Sequence, residues 1–317
     1  MSVLLLSKLV YFARFVLFFR IMNFPTFKQL RYFLALCEEG HFGRAAAACF
    51  VSQSAFSHAI RELEAALCAQ LVDRTNRNVT ITAKGQDVAT EARLVLRDMD
   101  SLVDIAQGDQ EPLTGELRLG VIPTIAPFVL PAILPKLRKQ FKYLDLLLIE
   151  DQTHRIYERL MDGELDALLL ALPWAMQGVE QQVLFRDEFC LAYRQGTERV
   201  DPDNYRFNRL DADSVLLLED GHCLRDHALA ACKIRNTEKV RRFGASSLLT
   251  LIEMIDADLG ISFLPEMARG STLLRNTRVR LHPLSDRSYR NIGMAWRKGS
   301  RRVDEFQMLG RFVRDHR

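Results

Sequence analysis

The run Phe42-Gly43-Arg44-Ala45-Ala46-Ala47-Ala48-Cys49-Phe50-Val51-Ser52-Gln53-Ser54-Ala55-Phe56-Ser57-His58-Ala59-Ile60-Arg61-Glu62-Leu63-Glu64 decides how the N-terminal part of the chain folds. Phe42 to Ala48 predicts a short helix whose alanines let a neighbour approach closely. Ser52 is placed to cap the next helix, its hydroxyl accepting an amide of the first turn. That helix runs from Gln53 to Leu67, with Phe56, Ile60, Leu63 and Leu67 on one face. Upstream, apolar residues at 27, 30, 33, 34 and 37 predict a first helix from Phe27 to Leu36. Two helices joined across Cys49-Phe50-Val51 form a helix-turn-helix, whose second helix enters a DNA major groove by its N-terminal end. Beyond the capping Ser52, its outward residues there are Gln53, Ser54, Ser57, His58 and Arg61. Gln pairs bidentately with adenine, and Ser reaches bases or phosphates. Leu71 to Thr82 reads as a hairpin wing that brings Arg74 and Arg77 to phosphates, which position without specifying. A plain helical bundle shares this periodicity and stands as the alternative.

The chain on either side has other patterns. Residues 1–22 are apolar but broken by Lys8, Arg14 and Arg20, so no uninterrupted stretch reaches the ~20 residues of a membrane span. We expect an upstream start codon and a true start at Met22; a membrane anchor is the alternative. From Ala83 to Gly108 the chain predicts one long helix. Val88, Ala92, Val95, Met99, Leu102 and Ala106 recur at alternating spacings of four and three, a coiled-coil seam between two copies of the chain. A helix packed on its own domain is the alternative. A dimer of helix-turn-helices reads paired half-sites, so the seam bears on operator symmetry.

After a linker at Gln110 to Gly115, strands alternate with helices, the pattern of α/β sheets. Strands are predicted at Glu116–Ile122, Tyr143–Glu150, Leu165–Leu172, Glu188–Arg194, Ser214–Leu218, Lys239–Phe243 and Gly260–Leu264. Helices are predicted from Thr124 to Phe141, His154 to Met161, near 224–232 and at 246–257. Thr124 and Thr153 each follow a strand where a helix begins, so both are expected at one crevice; on their own, each reads as a helix cap.

The chain carries 43 Lys and Arg against 40 Asp and Glu, a net charge of +3, so no overall basic excess announces nucleic acid. Residues 85–232 hold 15 basic against 26 acidic side chains, and residues 233–317 hold 18 against 9, an asymmetry that a solvated surface explains. The six cysteines, at 37, 49, 68, 190, 223 and 232, show neither a CxxC pair nor a dense framework. That argues against a disulfide-stapled secreted domain and against a zinc ribbon. His154, His222 and His227 lack metal-ligand spacing. Cys190 lies in a strand-like run and is expected in the core; Cys37, Cys49 and Cys68 are expected to pack in helices. Cys223 differs, because His222 and Arg225 put a possible cation on each side and Cys232 follows nearby. Positive charge favours the nucleophilic thiolate, and Asp226 opposes it unless it pairs with Arg225. A reactive thiol near a second thiol suits a reversible oxidant switch, and two buried small hydrophobes suit the residues equally.

The phrase Val215-Leu216-Leu217-Leu218-Glu219-Asp220-Gly221-His222-Cys223-Leu224-Arg225-Asp226-His227-Ala228-Leu229, followed by Cys232, closely resembles the sensor segment of peroxide-responsive activators in the LysR family of bacterial transcription regulators. The string Phe42, Ala45-Ala46, Val51-Ser52-Gln53-Ser54, Ser57, Ile60, Leu63-Glu64, Leu71 and Arg74 is similar to that family's DNA-binding domain. One departure is Cys68, where the family commonly carries Gly, a residue that relaxes a left-handed helix end. The resemblance covers nearly the whole chain after about residue 27.

It implies a multi-domain α/β protein: a winged helix-turn-helix (23–82), a long dimerisation linker helix (83–108) and a two-lobed α/β sensor domain like the periplasmic binding proteins (109–317), after the extension 1–22. It implies that Cys223 reacts with hydrogen peroxide and that Cys232 is its disulfide partner. The pocket is assigned Thr124, Thr153, His222, Arg225 and Asp226. Implied partners are double-stranded promoter DNA, RNA polymerase, a second copy with assembly to a homotetramer, and a cytosolic thiol reductant of glutaredoxin or thioredoxin type. No cofactor, metal, membrane or enzymatic turnover is expected, and the location is cytoplasmic. If residues 224–232 are helical, nine positions at ~1.5 Å set the two sulfur-bearing residues roughly 13 Å apart. A disulfide needs about 4.4–6.8 Å between Cα atoms, so it demands unwinding. The alternatives are a LysR-type regulator that binds a small metabolite, with the cysteines incidental, and a thiol peroxidase.

Overall fold

Thr26 starts the first helix through a reciprocal cap: its hydroxyl accepts the Gln29 amide, and the Gln29 side chain accepts the Thr26 amide. The computed structural model describes residues 24–74, 79–107, 112–231, 239–241, 244–285 and 288–317. Expectations for residues 1–22, for Arg77 and for Cys232 fall outside them.

Helix α1 (Phe27–Glu39) buries Leu30, Tyr32, Phe33 and Leu36, whereas Phe27, which the periodicity had placed on that face, is exposed. Helix α2 (Phe42–Ala48) begins at His41, whose Nδ1 accepts the Gly43 and Arg44 amides. It ends in a left-handed closure: Phe50 has φ +54°, its amide donates to Ala47 O, and the Val51 amide donates to Ala46 O. Ser52 then caps α3 (Gln53–Ala66) by accepting the Ala55 amide, as expected. Phe56, Ile60 and Leu63 of α3 are buried against Leu30, Phe33 and Leu36.

Helix α3 ends the same way at Cys68 (φ +48°), with the Cys68 amide donating to Ala65 O and the Ala69 amide to Glu64 O. The Cys in place of Gly therefore keeps the closure, at a left-handed cost of roughly 1–2 kcal/mol. Cys68 is exposed, not packed as expected. The Glu64 carboxylate accepts the Leu71 and Val72 amides, tying α3 to the wing. The wing pairs β1 (Val72–Arg74) with β2 (Val79–Ile81) antiparallel. Helix α4 (Ala83–Gln107) follows. Ala89 and Ala92 are buried in the core of this unit, while Val95 and Leu102 are exposed. Its first turns therefore pack on their own domain, and only its later turns leave the seam open.

The remaining chain, from Asp109 on, is a second unit. Its elements are β3 (Gly115–Val121), α5 (Ala126–Gln140), β4 (Leu144–Glu150), α6 (Thr153–Met161), β5 (Ala167–Leu172), β6 (Val179–Arg194), α7 (Cys223–Ala231), α8 (Leu248–Asp256), β7 (Ser262–Pro265), β8 (Val279–Pro283), β9 (Tyr289–Arg297) and α9 (Val303–His316). Strand β3 lies parallel between β4 and β5, and β9 runs antiparallel between β5 and β6. Every residue of β5, Ala-Leu-Leu-Leu-Ala-Leu, is buried, as a strand covered on both faces requires.

Strand β6 makes two lobes from one sheet. Its first part, to Glu188, pairs with β9, and Phe189 onward pairs with β7 and β8. One core gathers β3, β5, β9, α5, α6 and α9. The other gathers the end of β6, Val215–Leu218, α8, β7 and β8. Cys223 belongs to the first core, whereas Leu224 and Ala228 belong to the second, so the first turn of α7 lies at the junction of the lobes.

Three expectations differ from the structure. Ser214–Leu218 forms only single bridges, from Val215 to Val240 and Ile261 and from Leu218 to Ala245, and no continuous ladder. Within Lys239–Phe243 the described residues contribute one bridge, at Val240. Strand β6 begins at Val179, nine residues before the expected Glu188. Strands β8 and β9 and helix α9 had no counterpart in the sequence reading.

Candidate functional site

Three turns, two of them at the C-terminal ends of strands, meet where the lobes join. Ile122-Pro123-Thr124 follows β3, Asp151-Gln152-Thr153 follows β4, and Asp220-Gly221-His222 leads into α7. Strand C-terminal ends are where α/β sheets leave a crevice. Ile122, Pro123, Thr124, Gln152, Thr153, Gly221, His222 and Cys223 line a narrow one here. Thr124, Thr153, His222 and Cys223 are thus brought together as expected. Neither threonine caps a helix through its side chain: the cap of α5 is Ile125 and that of α6 is Gln152. Gly221 has φ +97°, and a Cβ there would sit 2.7 Å from Gln152 Oε1, so the turn needs glycine on both counts.

Cys223 is an unbridged, buried thiol at the start of α7. Burial is the largest influence on it and pushes its pKa up. The Thr153 hydroxyl and the Arg290 guanidinium oppose that rise, and Asp226 adds to it. Thr153 Oγ1 is itself buried and has no satisfied hydrogen bond among the described residues, although it is close enough to the sulfur to favour the thiolate.

The cation that acts on the sulfur is not the one the sequence suggested. Arg225 turns away: its Nε lies 3.0 Å from Asp220 Oδ1, and its Nη1 donates to Leu218 O at 3.2 Å. The exposed Asp220 carboxylate and the Leu218 carbonyl satisfy that guanidinium, and Arg225 is not among the groups that act on the thiol. Arg290 takes the place assigned to it. The β6–β9 register sets Arg290 opposite Asp187, and Nε donates to Asp187 Oδ2 at 2.9 Å with both side chains buried. Its Nη1 donates to Thr124 Oγ1 at 3.1 Å, and Nη2 to Thr124 O at 2.9 Å. Asp187 also accepts the Met267 amide at 3.2 Å. Burial raises the Asp187 carboxyl against the opposing pull of Arg290. Sequence reasoning missed both partners; the available signal was a lone Arg in the apolar run Asn291-Ile292-Gly293-Met294-Ala295-Trp296 that follows it.

One turn along α7 from Cys223, His227 Nε2 lies 3.1 Å from Pro173 O. Its Nδ1 is buried without a hydrogen-bond partner among the described residues, and burial lowers its pKa. Two other thiols, the buried Cys190 and the half-buried Cys37, also have their pKa raised. Cys190 donates to Glu266 Oε2 at 2.7 Å, and burial followed by that carboxylate pushes it up to about 12; burial pushes Cys37 up to about 11. Among the described residues, no cluster of three or more His, Cys, Asp or Glu side chains is arranged to hold a metal ion, and no helix is long and apolar enough to cross a membrane.

In the N-terminal unit most of the residues assigned to DNA at the start of α3 are open to solvent. Ser52, Gln53, Ser54, His58 and Arg61 are exposed, and Ser57 is half-buried. Ser52 Oγ lies 3.1 Å from Ser54 Oγ, and His58 Nε2 lies 3.3 Å from Glu62 Oε1. The backbone of Arg74 ends β1 at the wing.

Comparison with known proteins agrees with this architecture. Residues 27–86 match the bacterial regulatory helix-turn-helix protein, lysR family, and residues 110–317 match the LysR substrate binding domain. The chain is 38% identical over 286 residues to the HTH-type transcriptional regulator EstR of Acinetobacter baylyi, covering 90% of this chain and 95% of that one. It is 35% identical over 289 residues to the hydrogen peroxide-inducible genes activator of Dickeya chrysanthemi, covering 91% and 95%. A full-length OxyR variant from Pseudomonas aeruginosa, solved with a cysteine replaced by aspartate, superimposes with a TM-score of 0.76 at 30% identity, covering 92% of this chain and 95% of that one. A helix-turn-helix with its wing, a long linking helix and a two-lobed α/β domain, each matched along its length, establish that the chain belongs to the LysR family of bacterial transcription regulators.

Proposed function

We propose that this regulator senses hydrogen peroxide through Cys223 and responds at promoter DNA. The observation that carries the reading is the unbridged Cys223 thiol in a small crevice, with the buried Thr153 hydroxyl and the buried Arg290 cation both favouring its thiolate. Burial holds the resting sulfur as a thiol, and the two groups that favour the thiolate are fixed at the same point. Thr124, held by Arg290, and Thr153 supply oxygen partners for a peroxide, with His222 lining the crevice; Arg225 and Asp226, which the sequence also assigned to the pocket, do not line it.

The thiolate attacks one peroxide oxygen, the O–O bond breaks, and the departing hydroxide takes up the thiol's proton as water. Cys223 is then a sulfenic acid. Attack by the Cys232 thiol on that sulfur forms the disulfide and releases a second water. Helix α7 is wound from Cys223 to Ala231, an axial rise of about 12 Å at ~1.5 Å per residue, so closing the bridge requires it to unwind. Unwinding withdraws Leu224 and Ala228 from the second core and re-packs the lobe.

In this reading Ser52, Gln53, Ser54, Ser57, His58, Arg61, Arg74 and Arg77 face DNA. The later turns of α4, at Val95, Met99, Leu102 and Ala106, join two copies, with Val88 and Ala92 shared with the domain core. Two dimers form a tetramer that presents its helices to operator half-sites and to RNA polymerase. A cytosolic thiol reductant of glutaredoxin or thioredoxin type resets the switch, and the chain works in the cytoplasm without enzymatic turnover.

A metabolite-binding regulator is the other reading, and one observation favours it: EstR, whose name does not mention peroxide, is as similar in sequence as the peroxide-named relatives. The narrowness of the crevice supports the peroxide reading instead. It is a cleft with no enclosed space for a metabolite, whereas pockets for drug-sized ligands enclose ~300 Å³ or more. The deciding experiment is a DNA footprint of the wild-type chain and of Cys223→Ser, before and after peroxide at fixed salt. The wild-type footprint shifts and the variant's does not; a shift in both refutes the assignment.

A further inference from the structure

Phe50 occupies a position that the fold gives no reason for a large aromatic side chain to hold. It closes α2 in the left-handed conformation, at φ +54°, where Gly or Asn is the usual residue and a bulky side chain is an outlier. Both closing hydrogen bonds use backbone atoms, Phe50 N–H to Ala47 O and Val51 N–H to Ala46 O, so Gly or Asn would make them equally well. The ring returns nothing to the unit. It is 96% exposed, against 53% for Phe24 and 45% for Phe27. The chain therefore keeps a strained backbone and a water-exposed ring at one residue, and strain of this kind clusters at functional sites. The position names a partner. Phe50 stands two residues before Ser52, the cap of α3, and continues the exposed edge of Ser52, Gln53 and Ser54.

We propose that Phe50 is an apolar contact to double-stranded DNA, its ring packing on deoxyribose and thymine methyl groups beside the groove that α3 enters. The left-handed backbone is what holds the ring clear of α2 and on the side of the duplex. This rests on the reading of α3 as the recognition helix. Thymine methyls are the apolar feature of the major groove, and an aromatic side chain is a suitable match. Because the ring touches no phosphate, it contributes to affinity without releasing counterions.

The test uses the full chain and two probes, a duplex selected by the wild-type chain from a random pool and an unrelated duplex of the same length. Phe50→Asn and Phe50→Gly relieve the strain, so their melting temperatures equal or exceed that of the wild type. Their affinity for the selected duplex falls by about tenfold, with the slope of log affinity against log salt unchanged, while Phe50→Tyr binds as the wild type does. Unchanged affinity in Phe50→Asn and Phe50→Gly overturns the proposal. So does a fall accompanied by a shallower salt slope, which marks a lost phosphate contact. A change of oligomeric state without DNA, by sedimentation, overturns it in favour of a contact between copies of the chain. Gln53→Ala separates the two levels of the argument. If it binds the selected duplex as the wild type does, the recognition-helix reading fails; if it loses binding while the Phe50 variants keep theirs, only the Phe50 contact fails.

Discussion

If oxidation unwinds α7, then weakening that helix must make the thiol form harder to regain, by an amount that can be worked out in advance. The wound helix exists in the dithiol form, so a substitution that destabilises it disfavours that form and drives the midpoint potential of the Cys223–Cys232 couple more negative. Ala230 is exposed on α7, so Ala230→Gly changes helix propensity without touching a core, at about 1 kcal/mol. For a two-electron couple ~1.4 kcal/mol corresponds to about 30 mV, so the shift is roughly 20 mV. Leu224 is 2% exposed in the second core, and Leu224→Ala costs about 2–5 kcal/mol. If oxidation releases that side chain completely, the shift is roughly 40–110 mV. The assay equilibrates each variant in a graded series of thiol–disulfide buffers and counts free thiols by alkylation and mass spectrometry; thermal unfolding of the reduced forms supplies the stability loss independently. Potentials that move in proportion to the stability losses support unwinding. Potentials that stay within a few millivolts of the wild type, while reduced Leu224→Ala melts lower, refute it, because the helix would then be equally wound in both forms.

Further expectations follow from the same crevice. Arg290→Met leaves the Asp187 carboxylate buried without its cation and lowers stability by about 3–5 kcal/mol in denaturant unfolding. Adding Asp187→Leu restores most of that stability but leaves Cys223 slow to oxidise, since the cation acting on the sulfur is still absent. Gly221→Ala places a Cβ 2.7 Å from Gln152 Oε1 at φ +97°; its melting temperature falls and peroxide titration of Cys223 slows, whereas an unchanged oxidation rate shows that the turn does not shape the site. Burial lowers the pKa of His227 from its ordinary 6.5. Below pH 6.5 the unfolded chain takes a proton that the folded chain refuses, so stability drops with falling pH until the lowered value is reached. The loss is absent above that window, and it flattens in His227→Gln, as urea midpoints measured across the pH series will show.

The readings that held are those settled within a turn or two of chain. Ser52 as a cap, the buried face of α3, the hairpin wing and the strands before Thr124 and Thr153 follow from side chains that act on neighbouring backbone. What failed depends on register. The first part of β6, Val179-Glu180-Gln181-Gln182-Val183, is mostly polar because β9 covers its edge and leaves faces open, so no alternation of apolar residues marks it as a strand. The stretch Ser214–Leu218 fails in the opposite direction. It is apolar enough for a strand, and Val215 to Leu218 are buried, but its partners at Val240, Ala245 and Ile261 meet it only at single bridges.

The same distinction explains the site. A thiol's chemistry is set by what surrounds it in space, and sequence offers only what surrounds it along the chain. Arg225 is two residues from Cys223 and was the natural cation to assign, yet a side chain on a helix's first turn has the exposed Asp220 and the Leu218 carbonyl to choose instead. Arg290 has no such choice. It is enclosed between Asp187, Thr124 and Met267, and a buried guanidinium that cannot move is the one whose field the neighbouring sulfur must feel. The identity of that cation requires knowing that residues 187 and 290 face each other across β6 and β9, a fact of pairing that neither segment carries alone.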